Sequence, residues 1–271
     1  MRTSPKRLLW ALIGILTLPF LGCMDRKESE VAAPDQQIDW NALSQKRVLF
    51  AHQSVGTNIL NGVNRLAERD GVTLTIRESE TGPVQQGITH FKVGRNGEPS
   101  SKLSAFRSAM ESGGMVDADI ALLKLCYIDF DAHTDARQLA LDYVHELDAL
   151  AARHPQTTFV AMTAPLTTVQ TGPKAWIKRM LGRSPAQYVE NAKRAEFNAV
   201  LRDRFESEGR LFDVARVESQ GAGRVVAIDL DGRKVESLDP TLTYDGGHLN
   251  ERGEEILARA LLDYLSSLPA R

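Results

Sequence analysis

Residues 47–69 read RVLFAHQSVGTNILNGVNRLAER, and the change of rhythm inside this stretch decides the fold. Arg47–Ala51 is a short apolar run bounded by charge, the signature of a buried strand. From residue 54 the apolar positions shift to Ile59, Leu60, Val63 and Leu66, which share one face of a helix. A strand therefore runs almost directly into a helix, with His52, Gln53 and Ser54 at the junction. The alternation continues outward. Val72–Ile76 (VTLTI) reads as a strand, 101–112 as a helix and Ile120–Leu125 (IALLKL) as a buried strand. Residues 135–153 read as helix, Thr158–Met162 as strand, 185–208 as a long helix and Leu211–Ala215 as a fifth strand. Residues 78–100 carry four glycines and two prolines and read as a long loop. Val225–Ile228 and Lys234–Glu236 flank Asp231-Gly232, a turn signal for a hairpin added to the main sheet. A last helix is predicted from Glu251 to Leu268, with Asn250 as its N-cap. Strand–helix alternation of this kind predicts an α/β fold: one three-layer α/β/α domain over residues 46–271, built on a parallel sheet. Such sheets bind ligands at the carboxyl ends of their strands.

The amino-terminal segment has another character. Arg2, Lys6 and Arg7 precede an apolar run from Leu8 to Leu21, too short for the roughly 20 residues that a spanning helix needs. The run ends at Leu21-Gly22-Cys23. A basic start, a short apolar stretch and a small residue at the cut predict an export signal over residues 1–22. A cysteine directly after the small residue resembles the lipobox of bacterial lipoproteins, although Phe20 stands where Leu is usual. That resemblance implies acylation at Cys23, anchoring to a membrane and a location at the bacterial cell envelope. The alternative is a plain signal, or an uncleaved anchor with a chance cysteine. Residues 23–45 are polar and pattern-poor and read as a flexible tether.

Composition bounds the rest. The 271 residues are 42% hydrophobic and 25% charged with a formal charge of −2, which argues against a nucleic-acid binder. A mean hydropathy of −0.25 excludes a multi-span membrane protein. Cys23 and Cys126 are the two cysteines, so no disulfide framework is available; Cys126 lies between Leu125 and Tyr127 and reads as buried.

Two constellations carry chemistry. Ser54 lies between a strand and a helix start, where backbone N–H groups converge and the helix dipole favours an oxyanion. Gly56 would let a substrate approach the backbone. Ser54 also suits the N-cap position of that helix. At the far end, Tyr244-Asp245-Gly246-Gly247-His248-Leu249-Asn250 places Asp and His three residues apart on a glycine-containing loop. Asp245 could accept the His248 Nδ1–H and leave Nε2 as a base. The competing reading is a turn with a surface histidine. A metal site lacks a third or fourth ligand at helpful spacing.

Taken together, Ser54 after the first strand and D-x-x-H before the last helix resemble the SGNH (GDSL-like) hydrolase superfamily. Leu249-Asn250-x-x-Gly253 extends the likeness, while His52-Gln53-Ser54 stands in place of Gly-Asp-Ser. The resemblance implies a flavodoxin-like sheet and a triad of Ser54, His248 and Asp245 with no cofactor. It also implies an acyl-ester substrate, such as an acylated glycan of the envelope or a small ester. The superfamily further supplies a glycine after strand two and an asparagine after strand three as oxyanion donors. No asparagine occurs in Lys124–Asp129. The glycine could be Gly82, Gly87, Gly94 or Gly97, and Asn96 could substitute, so Ser54, Gly94 and Asn96 are the candidate donors. Two alternatives stay open: a polysaccharide O-acetyltransferase with the same triad, and a catalytically degenerate envelope binding protein. A monomer is expected.

Two further segments call for assignment. Asp129, Asp131, His133 and Asp135 alternate after the third strand. Thr134 and Ala140 stand where a calcium loop needs Gly and Glu, so helix capping explains the acids better. Asp129 lies nearest the strand's end. Residues 172–185 (GPKAWIKRMLGRSP) are basic and amphipathic: a packed helix, a lid, or a contact with lipid or anionic glycan.

Overall fold

The computed structural model describes residues 37–269, apart from Ala222 and Asp231. Six strands form a parallel sheet in the order β2-β3-β1-β4-β5-β6. They are β1 (Arg47–His52), β2 (Ile76–Glu78), β3 (Gly87–Lys92), β4 (Ile120–Leu123), β5 (Thr158–Met162) and β6 (Leu211–Phe212). The period-2 alternation of a strand divides its side chains between two cores. Val48, Phe50, Ile120, Leu122, Val160 and Met162 enter one core. There they meet helices α1 (Trp40–Ser44), α2 (Ser54–Arg69), α7 (Val214–Gln220) and α8 (Glu251–Ser267). Leu49, Ala51, Ala121, Leu123, Phe159 and Ala161 enter the other, against α3 (Pro99–Glu111), α4 (Ala136–Arg153) and α6 (Tyr188–Phe205). The result is a flavodoxin-like α/β/α sandwich, and the described residues belong to one compact unit.

The chain leaves β1 for β2 and β3 on one side and later crosses to β4 on the other. β1 is therefore the switch point of the sheet, and the crevice at its carboxyl end is where such folds bind ligands.

Several expected boundaries move. Ile38, Trp40 and Leu43 are buried, and the Trp40 indole N–H donates to Asp70 (3.0 Å), so the ordered domain begins before residue 46. The expected strand at 72–76 is confined to Ile76–Glu78. The supposed loop 78–100 contains β3, paired along its whole length with β1. Past Phe212 the expected fifth strand turns into helix α7, because Asp213 caps it by accepting the Arg216 N–H (3.1 Å). The hairpin of β7 (Ala227–Leu230) and β8 (Arg233–Glu236) forms its own two-stranded sheet instead of extending the main one. Cys126 is a free, buried thiol. The expected signal segment and Cys23 lie outside the described residues.

Candidate active site

Ser54 is the first residue of α2, immediately beyond the carboxyl end of β1. It is not the N-cap: Gln53 holds that position with an extended backbone and no side-chain cap bond. The Ser54 hydroxyl is thus free of capping duty, and its Oγ–H donates to His248 Nε2 at 3.0 Å. His248 Nδ1–H donates to Asp245 Oδ2 at 2.6 Å. The carboxylate is an acceptor only, so it selects the tautomer that leaves Nε2 able to accept from Ser54.

Local folding preorganises the Asp245–His248 loop. Asp245 Oδ1 accepts the backbone N–H groups of Gly247 (2.9 Å) and His248 (2.7 Å). Burial raises the Asp245 pKa, but the bonds from the His248 side chain and from these two backbone groups outweigh it. The carboxyl is held below its ordinary range and stays ionised. Asn250 then caps α8 through the Gly253 N–H (3.0 Å), as the sequence suggests.

The two halves of the site come from opposite ends of the chain, and the α2–α8 interface holds them together. Asn58 accepts the Leu249 N–H (3.3 Å) and donates to Glu254 (2.7 Å). Arg65 also pairs with Glu254. On the carboxyl side of α8, Lys46 donates to the carbonyls of Leu265, Ser266 and Leu268 (2.6–3.0 Å) and caps the helix.

His52 and Gln53, which stand where the family pattern has Gly-Asp, stitch β1 to the turn after β3. Gln53 Nε2 donates to the carbonyls of Val93 (2.8 Å) and Gly94 (3.0 Å). His52 Nδ1–H donates to the Gln53 carbonyl (2.7 Å), leaving Nε2 to accept from His90 Nδ1–H (3.1 Å). His90 is therefore a partner within this network. Gly56 has a different reason from the one expected. A Cβ there would meet His52 Cβ and Cγ at 2.3 Å, so the glycine makes room for the His52 ring and not for substrate.

The β1–β3 register ends at His52↔Lys92, and beyond it the Gln53 amide ties the Gly94 turn to the residue before Ser54. Gly94 has φ +55, and a Cβ there would strike the Lys102 backbone nitrogen at 2.7 Å, so the turn is pressed onto α3. Asn96 accepts from Lys102 Nζ (3.1 Å) and is exposed. Among the described residues, neither the Ser54 nor the Gly94 N–H is engaged in a hydrogen bond. Ser54 and Asp245 are thus each bonded to His248, and Gly94 and Asn96 lie on the neighbouring turn with no hydrogen bond to any of the three.

Asp129 is not a site residue. It forms a fully buried ion pair with Lys102 (2.6 Å), accepts the Cys126 N–H (2.7 Å) and accepts the Gly97 N–H (2.9 Å). It locks the 94–97 turn, α3 and the segment after β4 into one unit. Asp135 caps α4 through the Gln138 N–H (3.0 Å), so the capping reading holds for this acid, while Asp131 accepts the His133 N–H (2.8 Å) within its own turn. Among the described residues no group of three or more His, Cys, Asp or Glu side chains could hold a metal ion.

Tyr127 was not singled out by sequence pattern, yet it braces the base. Its ring meets the His248 ring edge-on (centroids 5.6 Å apart, 78° between planes), and its hydroxyl lies 3.4 Å from Nε2. Buried Arg194 fixes Tyr127 by donating to its carbonyl through Nε (3.1 Å) and a terminal nitrogen (2.8 Å). Its position just after β4 was the only signal available. Beside this brace opens a cleft of about 410 Å³ lined by Tyr127, Ile128, Thr168, Gln187, Glu190 and Asp245.

A Ser–His–Asp relay on a flavodoxin-like sheet is the class of site that these residues build. Solved structures that resemble the chain include a candidate platelet activating factor from Streptococcus pneumonia, 16% identical over 82% of this chain and 84% of that chain, with a TM-score of 0.49. A candidate GDSL-like lipase from Parabacteroides merdae is 12% identical over 82% of this chain and 96% of that chain, with a TM-score of 0.48. The periplasmic domain of a Salmonella Paratyphi A lipopolysaccharide acetyltransferase is 11% identical over 81% and 84%, at 0.44. No family model and no curated protein matches the chain. At such identities the chemistry must be read from this chain's own side chains.

Proposed function

We propose that the protein is an SGNH-type serine esterase that removes acyl groups from an envelope glycan or a small ester. The observation that carries this reading is the unbroken relay Ser54 Oγ–His248 Nε2–Asp245, with contacts of 3.0 and 2.6 Å. Ser54 Oγ attacks the ester carbonyl while its proton passes to His248 Nε2. The negative charge on the tetrahedral oxygen is received by the Ser54 N–H, with Gly94 N–H and the Asn96 amide as the nearby candidate donors. His248 returns the proton to the departing alkoxide, leaving an acyl-Ser54 and a free alcohol. Water then attacks the acyl carbon, His248 takes the water proton, and Ser54 leaves with that proton as the carboxylate product is released.

Exposure favours water as the acceptor: the side chains of His248 and Asp245 are 27% and 42% exposed. Cys23 is assigned as the acylated residue that anchors the mature chain to a membrane of the cell envelope. Fluorophosphonate labelling tests the nucleophile. The wild type is expected to label, and Ser54→Ala is not; equal labelling of both would sink the assignment and leave the degenerate binding protein. Incorporation of labelled palmitate that persists in Cys23→Ser would refute the anchor.

A further inference from the structure

Thr171–Pro185 leaves the domain as a closed excursion. At its neck the Gln170 N–H donates to the Ala186 carbonyl (3.1 Å), and Thr168 and Gln187, just inside the neck, line the cleft beside the triad. Within the excursion lies α5 (Gly172–Met180), which buries only Ala175. Trp176, Ile177, Met180 and Leu181 are 62%, 51%, 69% and 67% exposed. This rules out the packed helix as a reading of the segment. Turning about 100° per residue, the four apolar side chains share one face, and that face is roughly opposite Ala175, so it points away from the body. Lys174 and Lys178 flank it on one side and Arg179 on the other, while Arg183 follows Gly182 just past the helix end.

Charge is as lopsided as hydropathy. No carboxylate occurs between Asp148 and Glu190, so four cations stand together on a chain whose formal charge is −2. Among the described residues none of the four has an anionic partner. An outward apolar face with cations on both flanks matches one environment, the boundary between anionic headgroups and acyl chains. A soluble anionic polysaccharide would satisfy the cations and leave Trp176, Ile177, Met180 and Leu181 in water.

We infer that Thr171–Pro185 docks the domain onto an anionic bilayer. Trp176, Ile177, Met180 and Leu181 enter the headgroup–acyl boundary while Lys174, Lys178, Arg179 and Arg183 meet lipid phosphates. Through the Gln170–Ala186 neck this docking sets the cleft beside the membrane surface. It depends neither on the chemistry of Ser54 nor on acylation of Cys23.

The test follows Trp176 emission in the full chain carrying Cys23→Ser, so that no acyl anchor contributes, read as the difference between this protein with and without Trp176→Phe so that Trp10 and Trp40 cancel. The vesicles are phosphatidylglycerol–phosphatidylcholine or phosphatidylcholine alone, with bromine on the acyl chains as quencher. Expected is quenching of Trp176 on the anionic vesicles, with partition weakened about tenfold or more by Lys178→Glu/Arg179→Glu or by the neutral lipid. Unquenched Trp176 on anionic vesicles overturns the inference. So does quenching that is indifferent to lipid charge and to charge reversal. A Trp176 response to soluble anionic polysaccharide or to an ester without vesicles, in place of the lipid response, would replace docking by glycan binding or a lid. Fluorophosphonate labelling of Ser54 is expected to be unchanged in these variants, which separates failure here from failure of the esterase reading.

Discussion

His52 and His248 flank Ser54, one two residues before it in sequence, the other bonded to it from 194 residues away. Both donate through Nδ1, but to different acceptors. His52 donates to a neutral carbonyl in full burial; burial lowers its pKa, the Gln53 bond partly opposes this, and the charge of Lys124 and Lys92 and His90 add to the fall, to about 3. His248 donates to an ionised carboxylate at a half-open cleft edge. The same ring is thus a strut in one setting and a candidate proton acceptor in the other. The partner of Nδ1 and access to water make the difference, not proximity to the serine.

The largest break in the comparison is Ser54→Ala, expected to lower ester turnover by about 10⁶ if the serine acts with His248 as a unit. Turnover of a chromogenic acetyl ester checks it, with a thermal melt to show the fold intact. Asp245→Asn should cost about 10⁴, because an amide permits the tautomer that places a proton on Nε2. His52→Asn, by contrast, should leave turnover within an order of magnitude. A loss comparable to that of Asp245→Asn would erase the distinction between the two histidines.

The same contrast explains what was legible in the sequence. β1, α2, β4, α4, β5 and α8 announce themselves by periodicity, because each buries a regular stripe. Ser54, Asp245 and His248 were legible because turn chemistry and junction position coincide there. β3 was hidden: its GITHFK begins with Gly87, which needs φ +97 and would strike the Thr75 carbonyl oxygen at 2.2 Å with a Cβ, so a packing glycine reads as a loop glycine. Thr89 and His90 then break the apolar run of a strand beside the sheet's central one. Helix α7 was concealed because Leu211–Ala215 is an apolar run of strand length whose Asp213 cap sits inside it. Tyr127 and Arg194 join through a backbone carbonyl, which no residue pattern records.

The 94–97 turn, to which Gln53 also bonds, is held by the fully buried Lys102–Asp129 pair. Asp129→Ala strands an ammonium in the interior and should destabilise the protein by about 3–5 kcal/mol. Lys102→Met combined with Asp129→Leu should cost less than the single change, and denaturant midpoints decide it. If the single variant were as stable as wild type, the turn would need another support.

Acid sharpens the contrast by a smaller amount. Folded His52 binds its proton near pH 3, whereas the unfolded side chain does so near about 6.5. Between these values the unfolded chain holds the extra proton, so stability is full above about 6.5 and falls as pH drops toward 3. The slope from this one group is at most about 1.4 kcal/mol per pH unit. His52→Asn should flatten urea midpoints against pH in that window. An unchanged slope would mean that His52 is protonated in the fold.

Gly56→Ala is the smallest of these changes and the most diagnostic of the strut. The added methyl meets His52 Cβ and Cγ at 2.3 Å, a distance no contact tolerates, so the ring or the first turn of α2 must move. Overpacking of this kind costs about 1–3 kcal/mol. Because Ser54 lies on that same turn, turnover should fall along with stability. His52→Ala removes the ring atoms beyond Cβ and leaves the Cβ contact, so the double variant should recover part of the loss. A cycle with no coupling would show that Gly56 answers to something other than His52. A coupling of about 1 kcal/mol or more would mean that the serine's helix is seated by a histidine that takes no part in proton transfer.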